Sequence, residues 1–484
     1  MSILKKFFKD TIIYGLAAVL PRVINFFLVT IHTDVLPPES YADNTDFYIW
    51  AALFSVLLTY GMETAFFRFY SQEKQKDSLV STAFFTILAT TSIFGILSYV
   101  FAPELIQLFH FQNNPVQFKI LVGILILDTI AMVPFALLRA SNRPVKYAFL
   151  KLTNVAIIVL INILFLKWVP QQLEGGYSVP EFLVSIFNST QIINFIFLAN
   201  LAGSAFCLLL LVPYLVKFKF KFDLKLLKKM LRYGWPILVA GIAYAINEHL
   251  DKLLIGHYIN KESEGAYAAV YKLAIFMNLY IMAFRLGAEP FFFNHAKEKN
   301  AKETYAKILN YFVIIGALVF VGIVSYIDLI KYFINSNYWQ ALSIVPVVLL
   351  AYLFLGIYHN LAVWYKLTDK TRYGMYFSII GAIVTIVINV VFLPIYGVIA
   401  SAFATMTAYG CMMTLSYFIG KKYYPVSYNL TKIGIYLGFS ILISAISFIY
   451  FRENYWVSTG LCFAFGAVIF WQEKEELKRI FNKK

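Results

Sequence analysis

Ionisable side chains stand where the surrounding sequence is otherwise apolar. The run 233–256 carries Glu248, His249, Asp251 and Lys252, and the run 266–290 carries Lys272, Arg285 and Glu289. Arg22, beside Pro21, lies near the middle of the run 11–31. Glu63 closes the run 46–67, with Arg68 just beyond it, while Asp128 and His359 stand in the runs 118–138 and 341–365. A charge at mid-membrane costs about 2.5–3.5 kcal/mol on insertion scales, so such groups mark wet cavities, ion or proton sites, or structural pairs. Glu248, Asp251 and Lys252 are spaced i, i+3, i+4 and share one helical face. The pattern fits a coupling-ion or substrate site, and equally a structural ion pair with Lys252 reaching toward the interface. Arg22, Lys272, Arg285 and Lys252 are the cations suited to an anionic substrate in a cavity. Glu63, Glu289, Arg68, Glu248 and Asp251 are the candidates for coupling or gating. Pro21 removes one backbone hydrogen bond and is a candidate hinge.

Familiar catalytic patterns are missing. There is no Gly-x-x-x-x-Gly-Lys-Ser/Thr loop, no nucleophile elbow and no HExxH pair. Cys207, Cys411 and Cys462 fall singly in apolar runs, with no spacing for a disulfide framework or a metal site. No cofactor is expected, and the chain is read as a non-enzyme.

The elements that must position these charges follow from composition. Hydrophobic residues are 60% of the chain, charged residues 14%, and mean hydropathy is +0.71, against about 45–50% and about 25% in soluble domains. A span needs about 20 apolar residues. Besides the six runs named, such windows fall at 79–101, 147–166, 192–216, 308–327, 373–393, 397–420, 433–451 and 455–471. With them the sequence predicts an all-α integral membrane protein of about fourteen transmembrane helices. Barrel strands would be short and strictly alternating, which these runs are not. With both termini cytoplasmic, the inside segments hold 31 Lys and Arg and the outside loops hold 4, namely Lys167, Lys261, Lys331 and Arg452. That asymmetry is the positive-inside pattern. It accounts for the net charge of +15 without nucleic acid. Segment 217–232, basic and amphipathic, is expected to lie on the anionic inner leaflet as a connector.

Gly61-Met62-Glu63-Thr64-Ala65-Phe66-Phe67 returns as Gly287-Ala288-Glu289-Pro290-Phe291-Phe292-Phe293. Tyr14-Gly15 matches Tyr233-Gly234, Glu39-Ser40 matches Glu262-Ser263, and Ile161–Leu166 matches Ile388–Leu393. The members are six spans apart, which predicts two parallel six-helix halves plus two C-terminal helices. The expected domains are a lobe at 1–216, the connector 217–232, a lobe at 233–420, and the final helices with a basic tail at 421–484. Glu63 and Glu289 then fall at equivalent cytoplasmic helix ends, as an inner gate would require. Arg68 is the expected partner of Glu63. Asn294, at the matching place, gives Glu289 none, so the two carboxylates are expected to titrate differently.

Leu36-Pro37-Pro38-Glu39, Phe67-Arg68-Phe69-Tyr70-Ser71, Gly265-Ala266-Tyr267-Ala268-Ala269-Val270-Tyr271-Lys272-Leu273 and Pro394-Ile395-Tyr396-Gly397, with the fourteen runs and the repeat, resemble the bacterial polysaccharide flippases (Wzx type). These belong to the multidrug/oligosaccharidyl-lipid/polysaccharide exporter superfamily. The resemblance implies translocation of an undecaprenyl-diphosphate-linked oligosaccharide, such as an O-antigen unit, across the bacterial inner membrane by alternating access. It also implies cycling driven by H+, Na+ or membrane potential, with membrane lipids, a polysaccharide polymerase and other assembly proteins as partners. The peptidoglycan lipid II flippase of the same superfamily is the alternative. A drug antiporter would favour acidic groups over Arg22, Lys272 and Arg285. A membrane polymerase or glycosyltransferase would need a substantial external loop. The longest outside loop, Lys167 to Gln191, has only Glu174 and Glu181 as acids.

Overall fold

A chain this apolar satisfies its backbone inside lipid by forming helices, and the computed structural model is helical with no strand among the described residues. The backbone is described for residues 3–72, 76–141, 143–215, 221–296, 298–368 and 370–481. The side chains of 3–18, 71, 72, 215, 286, 289, 290, 294 and 475–481 lie outside that description. Two compact units, 1–245 and 246–484, are present.

The first unit holds α1 (Ile3–Val35), α2 (Pro38–Thr59), α3 (Met62–Gln72), α4 (Lys76–Val100), α5 (Ala102–Leu108), α6 (Pro115–Ala140) and α7 (Pro144–Ile163). A π turn (Leu164–Trp168), α8 (Val169–Glu174), α9 (Glu181–Ile186), α10 (Ile193–Leu215) and most of α11 (Leu224–Tyr258) follow. Proline opens α2, α6 and α7, where a missing N–H costs nothing. Asp223 caps α11 through the amides of Lys225 and Leu226.

The expected connector takes a different form. Residues 217–220 lie outside the description, and from Leu224 the basic stretch is the N-terminal part of the same 35-residue helix that carries the seventh span. Leu226 and Met230 explain this, because both are buried in the core with α3, α4 and α6.

The second unit contains the end of α11, α12 (Lys261–Tyr271), a 3-10 turn (Lys272–Ala274), α13 (Ile275–His295), α14 (Ala301–Ser325) and α15 (Ile327–Ile330). Two more 3-10 turns lead to α16 (Val345–Leu361), α17 (Val363–Leu367), α18 (Arg372–Tyr396), α19 (Val398–Tyr423), α20 (Leu430–Tyr450) and α21 (Tyr455–Phe481). Asn260 caps α12 and Asn429 caps α20.

Among the described residues, eleven helices are long and apolar enough to span, or twelve if α2 and α3, bent by 42°, form one span. The other two expected spans are α1 and α11, 33 and 35 residues long. At about 1.5 Å per residue both exceed a bilayer core of about 30 Å, and α11 carries the charges that lower its hydropathy.

Packing repeats between the units. In the first, α4 packs on α6, and α10 on α6 and α7; in the second, α14 packs on α16, and α19 on α16 and α18. The Gly–Glu motif follows suit. Met62 and Phe66 are buried in the first unit's core, and their counterparts Ala288 and Phe292 in the second's. The motif's backbone does not repeat. Tyr60 and Gly61 have φ of 33° and 73° and break α2 from α3, whereas Gly287 lies inside the unbroken α13. The reason is a close approach: a Cβ on Gly61 would sit 2.5 Å from the Gly234 carbonyl oxygen.

The quoted asparagines also repeat. Asn162 and Asn389 are fully buried, and each donates to the carbonyl four residues back, Ile158 or Thr385, at 2.8 Å. Each Oδ1 then meets another helix, His32 Nε2 of α1 at 2.8 Å or Ser401 Oγ of α19 at 2.6 Å. The C-terminal pair is bolted on by Glu473 of α21. It accepts from Tyr436 and, at 3.0 Å, from Lys432 of α20, and at 3.2 Å from Asn310 of α14.

Candidate functional site

The charged face of α11 forms a polar cluster inside the second unit. Lys252 Nζ donates to Asp251 Oδ1 at 3.0 Å and to the Glu248 carbonyl at 2.8 Å. Its ammonium lies 3.9 Å from the centre of the Tyr271 ring, a cation–π contact that strengthens when dry. Asp251 Oδ2 accepts from Tyr267 at 2.8 Å. Glu248 accepts from Tyr352 of α16 at 2.5 Å and from Tyr409 of α19 at 2.8 Å. Asp251 is 0% exposed and Lys252 7%, so every partner counts. Uncompensated buried charge costs several kcal/mol. Four tyrosines therefore hold two carboxylates and one ammonium, which together carry one negative charge when all are ionised. The buried Tyr271 hydroxyl has no hydrogen-bond partner among the described residues. A polar line continues from this face. Thr385 donates to Asn247 at 3.0 Å, and Asn389 and Ser401 extend the line into α18 and α19.

Glu248, Asp251 and Lys252 thus meet in one cluster on α11, with Lys252 and Asp251 as an ion pair. The ammonium pairs with its immediate neighbour Asp251, while the Glu248 carboxylate is taken by tyrosines from two other helices. Sequence reading missed Tyr352 and Tyr409, which are remote in the chain. Tyr267 and Tyr271 had a local signal, an i, i+4 pair in Gly265–Leu273 that puts both rings on one face of α12.

The remaining cations lie outside this cluster. Lys272 is half-buried in the 3-10 turn that separates α12 from α13. Arg285 Nη1 lies 3.5 Å from His359 Nε2. Arg22 is exposed and makes no hydrogen bond or ion pair among the described residues. Pro21 sits inside a continuous α1. The Glu289 side chain lies outside the described residues.

Glu63 has a different partner from the one expected. Arg139 of α6 donates to it at 2.9 Å, and Arg68 instead stacks over the Tyr233 ring at 4.5 Å. The cause is helical geometry. Residues five apart in α3 point to different sides of the helix, whereas α6 runs alongside. Arg139 also lies over Phe67 at 4.7 Å. Among the described residues no three His, Cys, Asp or Glu side chains are grouped to hold a metal ion.

Comparison with known proteins adds the lineage. Residues 7–294 match the model of a family described as "Polysaccharide biosynthesis protein". The chain belongs to this family. Residues 236–391 also match the MatE family model. A Haemophilus influenzae relative, "Lsg locus putative protein 1", is 22% identical over 297 residues, covering 61% of this chain and 68% of that one. Among solved structures, lipid II flippase MurJ in an inward closed conformation superposes with a TM-score of 0.73 at 17% identity, over 95% of this chain and 99% of that one. An inward-facing multidrug resistance MATE family transporter of the MOP superfamily gives 0.63 at 10% identity, over 88% and 99%. This family member therefore has the all-helical fold of the multidrug/oligosaccharidyl-lipid/polysaccharide exporters, in agreement with the resemblance carried by its sequence motifs.

Proposed function

We propose that the protein is a flippase that carries an undecaprenyl-diphosphate-linked oligosaccharide from the inner to the outer leaflet of the bacterial inner membrane. The observation that carries this reading is membership of the polysaccharide biosynthesis family across residues 7–294, in a chain whose helices are long enough to span. The substrate is chemically tripartite: an anionic diphosphate, a polar glycan and a lipid tail. Arg22, Lys272 and Arg285 are assigned to the diphosphate, because cations in a low-dielectric cleft concentrate anions. Lys252 is assigned elsewhere, since its ammonium already sits on Asp251.

The Glu248–Asp251–Lys252 cluster is assigned to coupling. Its surplus negative charge is balanced by one proton or one monovalent cation, and three helices besides α11 hold it through tyrosines. Arrival or loss of that charge changes which tyrosines remain hydrogen-bonded, and so couples ion binding to the packing of α11, α12, α16 and α19. Glu63 with Arg139 is assigned to gating and Pro21 to a hinge. Both termini are placed in the cytoplasm on the basic-residue asymmetry, with a polysaccharide polymerase as the consumer of the product.

The test is leaflet accessibility of lipid-linked glycan. Deletion is expected to accumulate the inner-leaflet form, and Arg22→Ala to slow translocation in proteoliposomes without loss of folded protein. Wild-type flipping by that variant removes Arg22 from the site. If lipid II is carried and lipid-linked oligosaccharide is not, the substrate assignment falls.

A further inference from the structure

A cavity of about 290 Å³ lies in the first unit, and none of the charged residues discussed above lines it. Its walls are Phe54 of α2, Phe94 and Leu97 of α4, Leu105 of α5, and Val122 and Leu125 of α6, with further aromatic rings between them. Ser98 supplies the polar side chain of the lining. A water molecule needs two to four polar partners, so one hydroxyl does not hold a water cluster in such a space. Walls of methyl and aromatic groups instead gain dispersion contacts from an apolar occupant.

Position narrows the occupant. Phe94 and Leu97 fall in the last two turns of α4, and Val122 and Leu125 in the first three turns of α6. The space is thus confined to one end of the spans, within the thickness of a single leaflet. Its mouth is on the apolar surface. Leu97 and Phe101 line the cavity and are themselves 49% and 50% exposed, and their neighbours Ile93, Ile96 and Val100 are more exposed still. An apolar slot that opens sideways among lipid-facing residues admits a chain already dissolved in the bilayer, with no transfer through water.

We infer that this cavity binds one hydrocarbon chain of a membrane lipid, held between α2, α4, α5 and α6. Phe54, Phe94 and Phe101 offer flat faces between which a flexible chain can lie, and α5 closes the end of the slot. The site is independent of the transport reading, since a bilayer lipid or a polyprenyl carrier supplies the same chemistry.

The test uses the full chain in nanodiscs with two photoactivatable probes, a phosphatidylethanolamine carrying a diazirine on its acyl chain and a polyprenyl phosphate carrying one on its isoprenoid chain. Adducts are mapped by peptide mass spectrometry. Expected are adducts concentrated at Phe94–Phe101 and Leu121–Leu125 with at least one probe, above the level at the exposed residues Ile395 and Phe463. Val122→Trp, which fills the slot, is expected to abolish the cavity adducts while those at Ile395 and Phe463 persist. Leu105→Trp repeats the test from α5, which has no buried residue and so tolerates the change if Val122→Trp does not fold. The probe that labels identifies the source of the chain. Labelling no higher than at Ile395 with both probes, or cavity adducts that survive both substitutions, overturns the inference.

Discussion

Gly61 and Gly287 occupy the same place in a repeated motif, yet alanine should act on them in opposite directions. Gly61 has φ of +73°, and an added Cβ would meet the Gly234 carbonyl oxygen at 2.5 Å and its carbonyl carbon at 3.0 Å. Left-handed backbone costs an L-residue about 1–2 kcal/mol, and overpacking a tight contact about 1–3 kcal/mol. Stiffening the unfolded chain returns about 0.4–1 kcal/mol, so Gly61→Ala should destabilise by about 1–4 kcal/mol. At Gly287, inside α13, a Cβ meets nothing within 4 Å among the described residues. There alanine gains about 0.8–1 kcal/mol of helix propensity. Gly234→Ala separates the two parts of the first cost. Its Cβ would lie 2.8 Å from the Tyr60 carbonyl oxygen, but its backbone is helical, so only the steric part applies. Thermal unfolding of the three variants in one detergent should rank Gly287→Ala above wild type, then Gly234→Ala, then Gly61→Ala. Equal effects at Gly61 and Gly287 would refute the close-approach explanation of the helix break.

Other expectations follow from the ion pairs. Asp328 accepts from Arg452 at 2.5 Å and from Lys331 at 3.0 Å. Burial pushes its carboxyl up, but those bonds outweigh it and hold it below the ordinary value of 3.8. A depressed folded pKa means the stabilisation is complete above about pH 4 and is lost as pH falls through the folded value. Asp328→Asn should remove that acid-side loss of stability and cost about 1–3 kcal/mol at neutral pH, between an exposed pair and a fully buried one; stability curves at pH 3 and pH 7 decide it. Glu63 and Arg139 are each 44% exposed, so a double-mutant cycle on stability should give about 0.2–1 kcal/mol, and Arg68→Ala should leave that coupling unchanged. Tyr409→Phe deletes one of the hydroxyls on Glu248; it should shift the ion dependence of transport at unchanged expression, and an unaltered dependence would remove the cluster from coupling.

The fold was readable because lipid allows few alternatives. Long apolar runs became helices, eleven or twelve of them long and apolar enough to span among the described residues. α1 and α11, the two further expected spans, are helices long enough to cross, but the charge in α11 lowers its hydropathy. The limits lay at contacts between segments. Nothing in the local sequence of Glu63 pointed to Arg139, because the pair depends on α3 and α6 lying side by side, 76 residues apart. Glu248 gave no hint of Tyr409, 161 residues away. For the connector, amphipathicity alone does not distinguish an in-plane helix from the end of a longer one; from Leu224 it is continuous with α11, and Leu226 and Met230 are buried among protein side chains.

Asn162 and Asn389 also bear on how the chain is made. Each amide places one of its two N–H groups on its own helix, so the Oδ1 must find its partner on another segment. For α7 that acceptor finds His32 on α1, a helix synthesised well before it. For α18 it finds Ser401 on α19, the helix synthesised next. In the first unit, then, the polar contact joins an incoming helix to one already in place. In the second it waits a single hairpin. Halting synthesis between α18 and α19 would leave the Asn389 Oδ1 without Ser401, whereas after a similar halt following α7 His32 would already be present for Asn162.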